Sequence, residues 1–381
     1  MKKNNPIIPY RIRQARVSRS LSMAGLAELA DVSKQLISQY ESGKTTPSDG
    51  TLNRIADILR YTPGFFRKPM PVEISADSGV FFRSGKTAKT ATLDAAQEKI
   101  RILGEIDQYL SIYIDFPRLN IPAMQYTYDP ISTLSSDEIE RYAKELRSFW
   151  RLGNGPIDNL IGTAQKNGIV ISSTAMRVEK LDGLSEWHNK KPYIFMSTDK
   201  DTNCRIRFGV AHELCHILLH AGNVPPEYLK TKEIHEKLED EANRFAGALL
   251  LPEETFSKDI LSSSLDHFIQ LKAKWKVSLS AMIKRCEILG LLSSNQIKYL
   301  NDQMTKRRYW RNEPLDSVMP KERPFAFRQA VSLLLENNVI TPSDFVNEIC
   351  CYPEELENYC CLDPGTLSEP DYGNVIQIRR S

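Results

Sequence analysis

His212, Glu213, Leu214, Cys215 and His216 follow one another inside a run, residues 208–220, that reads as helical throughout. In an α-helix, positions i and i+4 lie on one face, a turn apart. The imidazoles of His212 and His216 can therefore close on one ion from the same side. Glu213 points about 100° away around the helix, within reach of a metal-bound water without being a ligand itself. Zinc lowers the pKa of such a water to about 7, and a neighbouring carboxylate can take its proton as general base. The HExxH spacing thus predicts zinc-dependent hydrolysis with Glu213 as the base.

Two histidines need a third protein ligand. His220 shares their face but lies eight residues from His212, about 12 Å along a straight helix, and nothing in the sequence breaks that helix. The better source is a second helix over residues 236–251, stopped by Pro252. Its small and apolar residues suit packing against the metal helix, with a carboxylate near its N-terminal end directed at the ion. Glu239 and Asn243 are spaced i, i+4, so a ligand and a hydrogen-bond partner for a ligating histidine can share that face. Cys215 falls off the metal face and reads as a small core residue.

The elements that must position these groups can be sketched. A strongly amphipathic helix spans residues 136–151, capped by Ser135 or Ser136 with acids in its first turn. A helix over 157–166 follows, then strands over 168–173 and 192–197. The second strand is expected at a sheet edge, open to pairing with an extended peptide, with Trp187 and His188 in a loop before it. His235 and His267 read as surface or packing residues. A short strand over 79–83, a helix over 95–113, helices within 264–300 and two more over 324–337 and 342–351 complete the sketch, with a Pro/Gly-rich tail from Asp363. The expected architecture is mainly α with a small α+β hydrolase domain, an all-α N-terminal domain and a helical C-terminal region. The boundaries are 1–70, 71–160 for a helical linker region, 161–315 for the hydrolase and 316–381 for the C-terminal region.

Charge is unevenly spread. Residues 1–70 hold 12 Lys/Arg against 5 Asp/Glu, a net +7, so the remainder of a chain of net charge +2 is net −5. A basic module on an acidic body predicts that one end meets a polyanion. The module reads as helices over 11–18, 23–30, 34–40 and 51–59, with Ser33 and Ser48 as N-caps. Its candidate core is Leu26, Ala30, Val32, Ile37, Tyr40, Leu52, Ile55 and Leu59. No stretch has the apolar length of a membrane span, and no apolar core of signal-peptide length follows the first basic residues, so a cytoplasmic protein is expected. Seven cysteines in 381 residues do not suggest a disulfide framework. The adjacent pairs Cys350/Cys351 and Cys360/Cys361 lack paired Cys-x-x-Cys zinc spacing and read as core thiols. The basic and aromatic run of residues 306–311 reads as a loop packing its aromatics on the body.

Residues 211–216, the Glu-x-Glu-Ala-Asn-x-Phe-Ala run from Glu239, and Leu249–Pro252 together resemble the ImmA/IrrE family of zinc metallopeptidases, over roughly residues 165–315. The resemblance implies Zn²⁺ held by His212, His216 and Glu239, with Glu213 as base and Glu241 as the other candidate for third ligand. It also implies an endopeptidase acting on a cytosolic regulatory protein, such as a repressor or a toxin–antitoxin component. Residues 26–44 with Pro47 resemble the Xre/Cro-type helix-turn-helix, over about residues 9–67. A recognition helix enters the major groove N-terminus first. That directs Lys34, Gln35 and Gln39 at base edges, Ser38 at base or phosphate, and Lys44 and Arg13 at phosphate, with Ser33 also on the DNA-binding face. The implied partner is a double-stranded DNA operator, read by a homodimer on two half-sites. Asp31 stands where the family's turn glycine is usual. The competing reading is a non-proteolytic repressor or antitoxin-like protein whose metal domain senses metal or binds a partner.

Overall fold

The computed structural model describes residues 5–70, 81–84, 90–174, 181–188, 190–198, 202–225 and 227–368. Gly79 and Val80 of the expected first strand, and the end of the Pro/Gly-rich tail, lie outside the described residues. The chain forms two compact units. One comprises Met1–Pro71, Ile102–Ile114 and Phe327–Ser381; the other comprises Val72–Arg101 and Asp115–Ala326.

The first unit opens with four helices: α1 (Pro9–Ser18), α2 (Met23–Leu29), α3 (Lys34–Glu41) and α4 (Asp49–Leu59). Serine hydroxyls start three of them. Ser22, Ser33 and Ser48 each accept the amide three residues on, which satisfies a donor the helix cannot pair internally. The turn between α2 and α3 passes through Asp31 at φ +53°, the left-handed backbone that a glycine would adopt more cheaply. Leu26, Ala30, Ile37, Tyr40, Leu52, Ile55 and Leu59 form the expected core, joined by Ile12 and Ala15; Val32 is only half-buried. Arg16 donates to both carboxylate oxygens of Glu41 at 2.5 and 2.9 Å, tying α1 to α3.

The second unit contains a four-stranded sheet of β1 (Phe81–Ser84), β2 (Val170–Thr174), β3 (Leu181–His188) and β4 (Lys191–Ser197), in the order β1-β3-β4-β2. Only β2 and β4 run parallel. The helix α5 (Thr90–Leu110) starts in this unit and ends in the first. The helices α6 (Ser136–Phe149) and α7 (Leu160–Lys166) precede β2, and α6 begins with a reciprocal capping box between Ser135 and Glu138. Two expectations are corrected here. Trp187 and His188 belong to β3 rather than a loop, and β4 is an inner strand paired on both sides rather than an edge. The segment Asp182–His188 hid its strand character because Ser185, Glu186 and His188 are polar yet buried. The expected apolar alternation is therefore missing.

After the sheet come α8 (Asn203–Cys215), one π turn (His216–His220), α9 (Lys232–Leu250), α10 (Glu253–Asp259), α11 (Leu265–Trp275), α12 (Leu279–Ile288) and α13 (Ser294–Lys306). α8 packs across the sheet on one side and along α9 on the other. Val210, Ala211, Leu214 and Cys215 meet a core that includes Ala242, Phe245, Ala246 and Leu249, and the alanines let the two backbones come close. Of the basic-aromatic run, Tyr309 packs on this core, while Trp310 is 54 % exposed.

Three final helices, α14 (Ala326–Glu336), α15 (Pro342–Ile349) and α16 (Pro353–Cys360), belong mostly to the first unit. Tyr61 and Cys351 form an antiparallel bridge, the Thr62 amide donates to the Cys350 carbonyl at 2.9 Å, and Arg19 pairs with Glu355 at 2.7 Å. The seven cysteines form no disulfide, and Cys350, Cys351 and Cys360 are buried.

Candidate metal centre and nucleic-acid face

His212 and His216 stand one turn apart on α8, fully buried, with their Nε2 atoms 3.1 Å apart. Glu239, from the second turn of α9, directs Oε2 to 3.6 Å from His212 Nε2 and Oε1 to 3.3 Å from His216 Nε2. One ligand atom from each of the three residues lies within 4.8 Å of the others, and this is the metal-ligating group found among the described residues.

Hydrogen bonds set the ring tautomers. His212 Nδ1 lies 3.1 Å from Asn243 Oδ1, which can only accept, so Nδ1 carries the proton. His216 Nδ1 meets His220 Nδ1 at 2.8 Å, and His220 Nε2 meets Glu241 Oε2 at 3.2 Å. His220 Nε2–H donates to the charged Glu241 carboxylate, which leaves His220 Nδ1 to accept from His216 Nδ1. Both Nε2 lone pairs then face each other, an arrangement a cation relieves. Zn–N bonds of about 2.0–2.1 Å at a tetrahedral angle separate two nitrogens by about 3.3 Å, close to the spacing here. The donor set of two imidazoles and a carboxylate fits zinc.

Electrostatics agrees with that assignment. Burial pushes the His216 and His220 imidazoles down to about 4, so both are neutral at pH 7. Burial opposes ionisation of Glu239, but its hydrogen bonds to His212 and His216 outweigh it and hold the carboxyl below its ordinary range. Burial also opposes ionisation of Glu241, outweighed by His220 and the Leu134 amide, which donates to Oε1 at 2.9 Å. Glu241 is thus engaged with His220, one shell out from the three clustered groups. Burial raises the Cys215 thiol well above its usual range, consistent with a packing role rather than a thiolate ligand.

Glu213 is fully buried beside the cluster and outside it. Its Oε2 accepts from Ser185 Oγ at 2.6 Å. Next to Ser185 on the same face of β3 is Gly183, where an added Cβ would sit 3.5 Å from Glu213 Oε1 and 2.8 Å from Met196 Sδ. A side chain there would crowd the carboxylate, which gives this glycine a steric reason. Ser185 and Gly183 escaped sequence reading because their strand did. Straight-helix distance separates His220 from His212, but the π turn, which has no signature in the sequence, brings His220 against His216.

In the other unit, Ser33, Lys34, Gln35, Ser38 and Gln39 all lie exposed on or beside α3, while Ile37 and Tyr40 on its opposite face are buried. Lys44 and Arg13 are exposed as well. Ser33 has a structural role too, since its Oγ accepts the Leu36 amide at 3.1 Å.

Residues 164–287 match the family model described as IrrE N-terminal-like domain, and residues 12–66 match the model described as Helix-turn-helix. The chain is also similar to the Uncharacterized HTH-type transcriptional regulator y4aM of Sinorhizobium fredii, at 38 % identity over 61 residues. That alignment takes in 16 % of this chain and 43 % of the relative. No helix among the described residues is long and apolar enough to cross a membrane. The chain therefore joins an N-terminal helix-turn-helix domain to an IrrE/ImmA-like domain, an arrangement consistent with ImmA/IrrE family architecture.

Proposed function

We propose that the protein is a DNA-binding regulator with a zinc-dependent endopeptidase that cuts a cytosolic regulatory protein. The observation that carries the hydrolytic half is the convergence of His212, His216 and Glu239, with a buried carboxylate, Glu213, alongside. Those three residues would hold zinc, which when bound polarises a peptide carbonyl and acidifies water. Glu213 then takes the proton of the attacking water and delivers it to the departing amine. Ser185 fixes the Glu213 carboxylate through one oxygen. Asn243 and His220 engage Nδ1 of the two imidazoles, which would leave each Nε2 as the ligand atom.

For the DNA half, exposed Gln35 and Gln39 suit adenine and Lys34 suits guanine, with Ser38 at base or phosphate, Lys44 at phosphate and Ser33 on the same exposed face. A homodimer would set two such helices on adjacent half-sites.

Glu213→Gln tests the hydrolytic half. The variant should keep its zinc and lose about 10²–10⁴-fold in cleavage of a protein substrate. Unchanged cleavage removes Glu213 as base, and unchanged regulation in cells by a non-cleaving variant favours the non-proteolytic reading. Lys34→Ala with Gln35→Ala should abolish sequence preference for DNA while leaving weak binding at low salt.

A further inference from the structure

We infer that the chain holds its own β1 in the place an extended substrate would take beside Glu213. The inference rests on the peptidase reading only in naming the displaced partner a substrate.

Glu213 touches the sheet at two residues of β3, Ser185 through a hydrogen bond and Gly183 through close approach. A peptide that brings a carbonyl to this carboxylate and is held by main-chain hydrogen bonds must run along β3. One edge of β3 is spent on β4, with Gly183 opposite Met196 and Ser185 opposite Ile194. The other edge is taken by β1, which pairs antiparallel with Phe81 opposite Ser185, Phe82 opposite Leu184 and Arg83 opposite Gly183. The pairing is therefore centred on the residues that abut Glu213.

Two further observations mark β1 as an added strand. The IrrE-like match begins at residue 164 and takes in β2, β3, β4, α8 and the α9 ligand, but not β1. β1 also has only four residues, and its register slips between Arg83 and Ser84. A short, irregular pairing gives few ladder bonds, so a longer peptide can compete for the edge. A tethered strand nonetheless acts at an effective concentration of order millimolar, enough to hold off weak binders. The device restricts the site to polypeptides that can displace a strand.

The test uses the full-length, zinc-loaded protein carrying Glu213→Gln, so that binding is read without cleavage. The probe is a fluorescein-labelled synthetic peptide copying residues 77–88, followed by anisotropy. Deletion of residues 81–84, and separately Phe82→Pro, should each tighten probe binding at least tenfold over the protein with β1 intact. Equal affinity in folded, metal-loaded variants overturns the inference. Should neither variant fold, hydrogen exchange on the intact protein decides. The β3 amides that do not bond to β4 should be protected like those that do; exchange at free-peptide rates shows an open edge and overturns the proposal. Cleavage is measured separately with Glu213 restored. Tighter binding without cleavage sinks the peptidase reading and leaves the strand inference standing; cleavage with unchanged binding does the reverse.

Discussion

His216 is held from behind by a relay, His216 to His220 to Glu241, that ends on a carboxylate also fixed by the Leu134 amide. Such outer partners orient a ligating imidazole and raise its basicity. Glu241→Gln removes the charge at the end of the relay. It should weaken zinc binding about 10–100-fold, measured by chelator competition, with the helical content unchanged. Unaltered affinity would show that the relay only fills space. At this scale the sequence was informative where one helix sets the geometry: His212, Glu213 and His216 follow from periodicity alone. Glu239 needed a second helix and came with the family resemblance. Ser185 and the contact of His220 with His216 depend on a polar strand and a π turn, neither of which leaves a periodic trace.

β3 is the element least visible in the sequence, and its interior polarity has a measurable consequence. Glu186 is buried beside Glu98 and Arg101, and burial, aided by Glu98 and opposed by Arg101, raises its carboxyl to about 7. A carboxyl whose folded pKa lies above its unfolded value contributes stability that is fully present below about 4.5 and is lost as pH rises through about 7. Above pH 7 the buried site must hold a charge. Glu186→Gln should therefore be more stable than the parent by about 1–3 kcal/mol at pH 8 and nearly equal to it at pH 4. Denaturant titrations at the two pH values check this, and a difference of the same size at both would remove the ionisation account. The helices were far easier to read than the strands. Serine caps, the capping box at Ser135 and the stop at Pro252 are local signals, and the helices they bound sit within a few residues of expectation. Strand order is non-local. β4 was expected at an edge because nothing in its own residues announces that β3 will cover it.

At the scale of the molecule, the two ends of the chain build one unit, and the residues that match the IrrE-like domain lie between them in sequence. Arg11, fully buried, pairs with Glu105 at 2.5 Å, and Tyr61 meets Cys351 through the backbone. Residues 102–114 and the segment from Phe327 onward, far from the helix-turn-helix in sequence, belong to the same compact unit. Truncation after Ala326 should lower the thermal midpoint of the DNA-binding unit and its retention on DNA, while zinc content stays at one per chain. Full DNA binding by the truncated protein would show that the last helices are dispensable. The proposed hydrolysis requires His212, His216 and Glu239 to hold an ion, which metal analysis of purified protein reads. One zinc per chain is expected in the parent and in Glu213→Gln, and none after Glu239→Ala in protein that remains folded. Zinc retained without Glu239, or lost with Glu213→Gln, would contradict the assignment of ligand and base.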